Sequence, residues 1–324
     1  MNERSQKATR KQQMIVVIGS INMDLVMRVP RMPHPGETLL GGQFRTIPGG
    51  KGANQAVACA RLSKPSLTGS HKVAMIGCLG DDAFGTELRA SLRLDGVDDT
   101  HISTIAGVSS GVAAISVDAT GQNSIMLAAG ANDALSPAHI DAAHDLIAQA
   151  TIVVLQLETP LATVRHAIQL AHSLGKIIVL NPAPAQALPH ALLGQLTYLI
   201  PNEIEAAMLV NRAVSSLDSD AEIDAIMAEL RGYGSPNVLV TLGAKGVRAA
   251  LSDGVRHFPA QPTTALDTTA AGDTFIGGFV AALADGDSEE EAIHFGQRAA
   301  ALSVARIGAQ TSIPYRRELL PVSL

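Results

Sequence analysis

The 324-residue sequence has no tryptophan, and aromatic residues make up only 3% of it. Its core must therefore be packed from alanine, valine, isoleucine and leucine, which favours α/β layers over an aromatic-rich β-sandwich. An excess of positive charge is also missing, because the formal net charge at pH 7 is -6. Nucleic acids and anionic membranes are bound by basic faces, so we expect neither as a partner and predict a small-molecule ligand.

Cysteine and long apolar runs are scarce too. Cys59 and Cys78 are the only cysteines, and they lack the spacing and the histidine partners of a zinc site. The apolar run FIGGFVAALA lies between Asp273 and Asp285 and is shorter than the roughly 20 residues of a membrane span. Residues 1–13 are polar and net basic, without the apolar segment of a signal peptide. We therefore expect a disordered leader and a soluble, cytoplasmic protein.

Short runs rich in valine and isoleucine alternate with helical patterns along most of the chain. Examples of the runs are MIVVIGS, KVAMIGCLG, IVVLQL, KIIVLN and NVLVTL. This alternation predicts βαβ units and a mostly parallel sheet covered by helices on both faces. Ligands of such sheets bind beyond the carboxyl ends of the strands. Helices over 271–285 and 288–306 are expected to close a single domain that spans residues 14–324.

Two segments interrupt this alternation. Residues 21–48 are rich in proline and glycine, and residues 111–129 have the pattern of a hairpin that turns between Thr120 and Asn123. Neither segment has a helix of its own to pack against. We predict that together they form a small β-sheet that projects from the main sheet as a lid. Its exposed face is a candidate surface for a homodimer.

The stretch TTAAGDTFIGG holds a single carboxylate, Asp273, among small residues just before an apolar helical pattern. Ala270, Ala271 and Gly272 are small enough for their backbone N–H groups to approach a ligand and form an anion hole. A helix N-terminus carries partial positive charge, which suits a phosphoryl group in transfer. Asp273 is then placed to accept the proton of a hydroxyl. A first-turn aspartate that only complements the helix dipole explains this stretch equally well.

Two loops near the N-terminus are suited to a polyhydroxylated ligand. PGGKGANQAVA, which starts at Pro48, precedes a predicted helix and is neither a Walker A loop nor a dinucleotide fingerprint. A tight turn would explain the glycines, but Lys51 and Asn54 beside an apolar helix require polar partners. GSINMD follows the first strand and places Asn22 and Asp24 at a carboxyl end. Aspartate binds vicinal hydroxyls, although Asx residues also form turns.

Two further strand ends are suited to a nucleotide. VTLGAKG, residues 240–246, could surround phosphates with backbone amides. NEIE offers the amide of Asn202 and the carboxylate of Glu205 to Mg²⁺, which needs few protein ligands. Each motif alone is more readily explained as structural. Together with the lone acid they indicate phosphoryl transfer, and the acceptor stays open.

Eight motifs are together similar to the ribokinase family of PfkB-type sugar kinases, from about Met14 to Pro314. In chain order they are GSINMD, PGETLLGGQFRTIPGGKGANQAVA, LQLETP, LNPAP, PNEIEA, TLGAKG, DTTAAGDTFIGG and GAQTSIP. The resemblance implies a three-layer αβα fold with a small β-sheet lid. It also implies transfer of the γ-phosphate of ATP to the 5-hydroxyl of D-ribose. A kinase for 2-deoxyribose, another sugar or a nucleoside is the alternative, and a catalytically silent sugar-binding protein is a third hypothesis.

The resemblance also assigns roles to individual residues. The implied catalytic base is Asp273, and the implied anion hole is formed by Ala270, Ala271 and Gly272. The implied sugar contacts are Asn22, Met23, Asp24, Gly50, Lys51, Gly52, Ala53, Asn54, Glu158 and Asp273. The implied nucleotide contacts are Asn202, Thr241, Leu242, Gly243, Ala244, Lys245, Gly246, Gly272, Asp273 and Gln297.

The family also uses Mg²⁺ and a monovalent cation, usually K⁺. The resemblance assigns Mg²⁺ to Glu205, through water, and places K⁺ beside the anion hole, where it would fix the loop that presents the amides. The implied K⁺ ligands, several of them backbone carbonyls, are Asp267, Thr269, Ser303, Arg306, Gly308 and Ser312. Ala270 stands where many members have glycine, a change that is harmless unless φ must be positive.

Overall fold

The computed structural model describes residues 13–65, 72–213 and 219–319. The predicted basic leader, residues 1–13, lies outside these ranges except for its last residue. The strands are β1 (Ile15–Ile18), β2 (Asn22–Arg28), β3 (Phe44–Gly49), β4 (Val73–Gly80), β5 (Asp98–Ile105), β6 (Gly111–Val117), β7 (Asn123–Ala128), β8 (Ile152–Leu155), β9 (Ile177–Leu180), β10 (Tyr198–Leu199), β11 (Asn237–Thr241), β12 (Val247–Leu251) and β13 (Gly254–Phe258). The helices are α1 (Lys51–Leu62), α2 (Ala83–Leu94), α3 (Pro137–Ala142), α4 (His144–Gln149), α5 (Leu161–Ser173), α6 (His190–Leu193), α7 (Glu203–Leu209), α8 (Asp220–Gly232), α9 (Ala271–Ala284) and α10 (Glu289–Val304).

The large sheet has nine strands in the order β13-β12-β11-β10-β9-β8-β1-β4-β5. The strands from β11 to β5 pair in parallel, and β12 and β13 form an antiparallel edge. The central strands read IVVI, IVVL and IIVL because both of their faces are covered, so no alternation with polar residues is needed. The predicted mostly parallel sheet is confirmed.

Two hydrophobic clusters lie on the opposite faces of this sheet. In β1, Ile15 and Val17 belong to one cluster, and Val16 and Ile18 belong to the other. The first cluster is covered by α1, α2, α9 and α10, and the second by the helices from α3 to α8. The three-layer αβα fold is therefore confirmed. Within the described residues, no helix combines the length and the apolar character that crossing a membrane demands.

Helices α1 and α9 pack against each other at a glycine. A Cβ atom added at Gly277 would lie only 2.2 Å from the Cβ atom of Ala58, so no larger side chain fits between the two backbones there. One helical turn earlier on each helix lie Asn54 and Asp273. The close crossing therefore carries these two residues, which are 219 positions apart in sequence, to the same end of the sheet.

A second sheet has four strands in the order β3-β2-β6-β7, with β2 and β6 parallel and the other pairs antiparallel. The β6–β7 turn forms where the sequence predicts a hairpin, and the Asp118 carboxylate accepts hydrogen bonds from the amides of Thr120 and Gln122. Strand β7 is exposed along its whole length, and its apolar residues include Ile125 and Met126. Because successive residues of a strand point to opposite faces, β7 is not covered on either face by the rest of the described chain.

Candidate active site

Two adjoining cavities open where the large sheet ends and α9 begins. The smaller has a volume of about 200 Å³ and is lined by Lys51, Asn202 and Asp273 among others. The larger has a volume of about 460 Å³, and most of its wall is apolar. Ala271 and Gly272 border both cavities, so the first turn of α9 lies between them. This position gives the helix N-terminus access to a ligand that occupies both spaces.

The Asp273 carboxylate is held on both of its oxygens. It lies in the first turn of α9 and is 7% exposed. Asn54 donates a hydrogen bond from Nδ2 to Oδ2 over 3.0 Å, and Gln55 donates from Nε2 to Oδ1 over 2.9 Å. A buried charge is tolerated when donors surround it, and these two amides of α1 supply them. The carboxylate therefore has a defined orientation at the rim of the smaller cavity.

The α9 N-terminus offers two amides to an anion. Within the described part of the chain, the backbone N–H groups of Gly272 and Asp273 have no acceptor, as expected in a first helical turn. The amide of Ala271 donates to the Thr268 carbonyl over 3.2 Å. Of the predicted anion-hole residues, Gly272 thus has a free donor, whereas the Ala271 donor is already engaged.

Ala270, the N-cap of α9, has the left-handed conformation, with φ of 58°. Alanine in place of glycine is therefore strained at this position, because φ is positive and a Cβ atom in the left-handed region costs about 1–2 kcal/mol. The Ala270 carbonyl accepts hydrogen bonds from the amide and the hydroxyl of Thr274, which fix the turn. The strained residue lies at the loop that presents the anion-hole amides.

Asn22 and Asp24 lie side by side on the same face of β2, and both are buried. A Cβ atom at Gly49 would lie 2.4 Å from the Asp24 carboxylate, so this glycine leaves the space that the carboxylate occupies. The Asn22 Oδ1 atom accepts a hydrogen bond from Nδ2 of Asn132 over 2.7 Å. Asn22 therefore keeps its own amide donor for a ligand.

Asp24, Glu158 and Asp273 form a group of acidic side chains that act on one another. Burial, followed by the charges of Glu158 and Asp273, raises the pKa of Asp24 to about 7. Glu158 accepts a hydrogen bond from the Ser20 hydroxyl over 2.5 Å and one from the Lys51 amide over 3.1 Å. A set of closely spaced acceptors of this kind suits a ligand with several hydroxyl groups.

Lys51 lies in the smaller cavity together with Glu205. Burial lowers the pKa of its ammonium group, but the charges of Asp273, Glu158 and Glu205 together more than offset this and raise it. The ammonium group therefore stays positive at the point where the N-terminus of α9 also attracts an anion. The Lys51 backbone amide donates to Glu158 and its side chain lines the smaller cavity, so the place of Lys51 in a sugar-binding loop stays a prediction.

Three other predicted sugar-loop residues serve the packing of the loop. Met23 and Ala53 are fully buried and belong to the hydrophobic core, because their positions in β2 and α1 point away from Asn22 and Lys51. The Met23 side chain thus packs in the core, and the place of Met23 among the sugar contacts stays a prediction. A Cβ atom at Gly52 would lie 2.6 Å from the backbone of Gly19, so this glycine allows α1 to start against the end of β1.

The predicted nucleotide-binding loop forms one wall of the larger cavity. Thr241, Gly243, Ala244 and Gly246 line it, whereas Leu242 points into the core on the far side. Lys245, which is also a predicted nucleotide contact, does not line the cavity, and Gly246 has φ of 103°. The loop therefore presents mainly small residues and backbone to the cavity, and the nucleotide contacts of Leu242 and Lys245 stay predictions.

Gln297 lies on the opposite wall of the larger cavity, on α10. Its Nε2 atom donates to the carbonyl of Phe258 over 2.7 Å and to that of Pro259 over 3.3 Å. These contacts fix the side-chain amide and connect α10 to the segment after β13. The side chain thus shapes the cavity wall as well as bordering a ligand.

Asn202 and Glu205 form a capping box at the start of α7. The Asn202 side chain accepts from the Glu205 amide, and the Glu205 carboxylate accepts from the Asn202 amide, each over 2.8 Å. Both residues also line the smaller cavity. Burial raises the pKa of Glu205, against the opposing effects of the Asn202 hydrogen bond and of Lys51. The capping box is therefore compatible with the predicted ligand-binding role of NEIE, which stays a prediction.

The segments predicted to hold K⁺ lie next to each other. The amides of Leu266 and Asp267 both donate to the Val304 carbonyl. Asp267 accepts hydrogen bonds from Thr269 and from the Gly308 amide over 2.9 Å each, and these bonds lower its pKa although burial alone would raise it. The described residues contain no group of three or more His, Cys, Asp or Glu side chains arranged to hold a metal ion, so a cation here would depend largely on backbone carbonyls.

Three more predicted K⁺ ligands have side chains that are already engaged. The hydroxyls of Ser303 and Ser312 donate to the carbonyls of Ala300 and Ala309, both over 2.8 Å. The Arg306 guanidinium forms an ion pair with Glu318 over 2.6 Å. A cation would therefore meet these residues through their backbone, in agreement with carbonyl ligation.

Four residues with side-chain amides lie at this site although no role is predicted for them from the sequence. They are Gln55, Asn132, Gln156 and Asn181. Gln156 and Asn181 directly follow β8 and β9, Gln55 lies in α1, and Asn132 lies in the short 3-10 helix Gly130–Ala134. A polar amide in such an apolar context is a usable signal, because buried amides require partners.

The fold and the site are those of a small-molecule kinase, and the comparisons with known proteins give its family. The model of the pfkB family carbohydrate kinases matches residues 12–316. The chain is 44% identical to a ribokinase of Haemophilus influenzae, with 94% of this chain and 97% of that protein covered. It is 38% identical to a deoxyribokinase of Salmonella typhi over 93% of this chain and 95% of that one.

A solved structure gives the same result for the fold. The structure of Arabidopsis thaliana ribokinase complexed with ribose and ATP has a TM-score of 0.87 and 31% identity to this chain, covering 95% of this chain and 97% of that one. Family and fold agree over nearly the whole length. The chain belongs to the pfkB family of carbohydrate kinases.

Replacing Ala270 by glycine should not reduce the stability of the fold. Glycine removes about 1–2 kcal/mol of left-handed strain and adds about 0.5–1 kcal/mol of chain entropy to the unfolded state. The free energy of unfolding, measured by urea titration, should stay the same or rise by about 1 kcal/mol. The matched control is Ala129→Gly, since Ala129 is also a cap and has φ of -63°.

The control variant should lose about 0.5–1 kcal/mol, because no strain is relieved there. Equal losses at positions 129 and 270 would contradict a strained Ala270.

Proposed function

We propose that this protein is a sugar kinase that transfers the γ-phosphate of ATP to the 5-hydroxyl of D-ribose, giving D-ribose 5-phosphate and ADP. The observation that carries the proposal is the position of Asp273. Its carboxylate is held by α1 at the rim of a cavity where two free amides and Lys51 also converge. The ribokinase relatives, which align over nearly the whole chain, support the choice of ribose and ATP.

Asp273 acts as the general base in this proposal. Its carboxylate accepts the proton of the 5-hydroxyl while that oxygen attacks the γ-phosphorus, and the bond from the γ-phosphorus to the bridging oxygen of ADP breaks. The negative charge of the transferred group meets the Gly272 and Asp273 amides at the positive end of α9. The Lys51 ammonium adds a positive charge in the same cavity. These groups are in position before the substrates bind, so little reorganisation is needed.

The sugar lies against β2 and the start of α1. Asp24 and Glu158 accept hydrogen bonds from ring hydroxyls, and Asn22 donates its free amide hydrogens. Asn54, which contacts Asp273, reaches the hydroxyl next to the reacting one. Asp24 loses its proton when two hydroxyls donate to it, because hydrogen bonds to a carboxylate favour its charged form.

The nucleotide occupies the two cavities together. The base lies in the larger, mostly apolar cavity, between the loop over 241–246 and Gln297, and the phosphates extend over the first turn of α9. Magnesium fits the smaller cavity, because Glu205 provides a carboxylate there and Mg²⁺ keeps most of its waters. When bound, it neutralises charge on the phosphates.

Potassium fits the adjoining segments around Asp267 and Gly308. The donor set there is one carboxylate and several carbonyls, which suits a monovalent cation better than Zn²⁺ or another ion that needs clustered side-chain ligands. When bound, it adds a fixed positive charge beside the loop that starts α9.

The small sheet acts as a lid over the sugar and as a homodimer surface in this proposal. Strand β2 carries Asn22 and Asp24, so any movement of the sheet changes the sugar site directly. Its strands carry large exposed apolar residues on both faces: Phe44 and Met126 on one face are 55% and 67% exposed, and Ile125 on the other is 57% exposed. A second copy of this sheet is the simplest cover for such a surface.

The acceptor is tested by comparing kcat/KM for D-ribose, 2-deoxy-D-ribose, D-fructose and adenosine with the same ATP concentration. The 38%-identical deoxyribokinase makes 2-deoxyribose the second candidate. We expect ribose to exceed 2-deoxyribose by at least about tenfold, because a missing hydroxyl leaves buried polar groups unpaired. A higher value for another acceptor would replace ribose and leave the kinase assignment in place.

Asp273→Asn should lower kcat by about 10²–10⁴-fold, as expected for the loss of a positioned base. Ribose binding, measured by calorimetry without ATP, should change by less than about threefold, because asparagine keeps the size and the acceptor oxygen of the side chain. Near-normal turnover would exclude Asp273 as the base. Loss of ribose binding together with turnover would indicate a role in binding instead.

Ribose affinity should weaken as the pH falls through about 7. The raised pKa of Asp24 means that its neutral acid predominates below this value and the carboxylate above it. Only the carboxylate accepts from two hydroxyls, so the dissociation constant should rise by up to about tenfold per pH unit between about pH 7 and about pH 6. In Asp24→Asn this dependence should disappear and binding should be weak throughout. A dependence that persists in the variant would assign the titration to another group.

A further inference from the structure

We propose that Gln55 is a positioning residue for the reaction. It belongs to a buried amide relay that fixes the Asp273 carboxylate, and Oδ2 is then the oxygen that takes the substrate proton. The relay consists of Gln156, Gln55 and Asn181, none of which is predicted to contact sugar or nucleotide. This inference rests on the proposed function, since it assumes that Asp273 is the base.

The directions of the Asn181 and Gln55 hydrogen bonds are determined by a backbone carbonyl. Asn181 donates from Nδ2 to the carbonyl of Ile200 over 3.0 Å, which leaves its Oδ1 atom as an acceptor. Gln55 must therefore direct Nε2 towards Asn181, over 3.2 Å, and the same nitrogen donates to Oδ1 of Asp273 over 2.9 Å. A flipped Gln55 amide would place an oxygen against two acceptors. The carbonyl of Ile200 thus determines that Asp273 faces the Nε2 atom of Gln55 and not its oxygen.

The oxygen of Gln55 is fixed by the next residue of the relay. Gln156 donates from Nε2 to Oε1 of Gln55 over 2.6 Å. Both glutamines are completely buried, so water does not compete for these bonds. Gln156 directly follows β8, Asn181 directly follows β9, and Gln55 lies on α1. The relay therefore ties the orientation of the carboxylate to the rigid edge of the large sheet.

The two oxygens of Asp273 have different environments as a result. Oδ1 faces Gln55, which is fully buried, whereas Oδ2 faces Asn54, which is 6% exposed and belongs to the predicted sugar-binding loop. In the proposed function the substrate hydroxyl approaches from the side of Asn54, because the predicted sugar-binding loop lies there. Oδ2 is therefore the oxygen that accepts the proton, and Gln55 holds Oδ1 as a pivot. Misplacement of a reacting group by about 1 Å can lower a rate about 10²-fold, so such a pivot affects the chemical step.

The test is a double-mutant cycle between Gln55 and Asp273. Gln55→Met keeps the length of the side chain and removes the hydrogen bond to Oδ1 of Asp273, together with the bonds that Gln55 makes with Asn181 and Gln156. We expect kcat to fall by about 10–100-fold, as for other residues that orient a functional group, with KM for ribose and ATP within about threefold. In the Asp273→Asn background, Gln55→Met should change the remaining kcat by less than about twofold, because its effect passes through the carboxylate.

Thr163→Val is the matched control for lost stability. Thr163 is also buried and donates to the Leu135 carbonyl over 2.7 Å, on the other face of the sheet. The loss of its hydrogen bond should lower the thermal midpoint and leave kcat unchanged. A merely structural role for Gln55 would give the same pattern, which would overturn the proposal.

Further outcomes separate this inference from the proposed function. If Gln55→Met does not fold, Gln156→Met serves in its place, since it loosens Gln55 without touching Asp273, and it should lower kcat by about 3–10-fold. If Gln55→Met or Gln156→Met folds and its kcat is unchanged, the relay is overturned. The relay is also overturned if the substitution lowers kcat as much in the Asp273→Asn background as it does alone. Near-normal turnover in Asp273→Asn alone would instead overturn the role of Asp273 as the base.

Discussion

The rest of the site depends on one buried negative charge and on the donors that hold it. Asp273 lies among apolar neighbours at the start of α9, where an unpartnered carboxylate would be too costly to keep ionised. The helix N-terminus and two side-chain amides of α1 offset that cost. The same donors that stabilise the charge also fix its direction, so stability of the fold and geometry of the site have a common origin here.

The contact between α1 and α9 makes this arrangement possible. Gly277 allows the two helices to approach at Ala58, and Gly52 allows α1 to begin against the end of β1. Small residues at these crossings shorten the distance between segments that are more than 200 positions apart in sequence. Larger side chains would separate the carboxylate from its donors, and a charge of this kind would then be left without partners. The glycine-rich motifs are therefore required for packing as well as for access by a ligand.

Charge in the site is balanced between two neighbouring regions. Near β2, Asp24 and Glu158 form an acidic surface, and burial, followed by the charges of Glu158 and Asp273, raises the pKa of Asp24. In the smaller cavity, Lys51 and the positive end of α9 form a region that attracts an anion. Asp273 lies at the boundary between the two. A neutral polyol on one side and a phosphate on the other match this division.

The sequence by itself determined the class of fold and the segments that form the site. Alternating apolar runs require a covered parallel sheet, and motifs at strand ends such as GSINMD, GGKGAN and TTAAGD must then lie on one edge. The tertiary structure alone decided the direction of each side chain. Met23 and Leu242 point into the core because strand and loop geometry sends alternate residues away from the site, and Ala270 takes a positive φ. The roles of Gln55 and Asn132 also depend on hydrogen bonds between distant segments, which are a property of the packed chain and have no local pattern in the sequence.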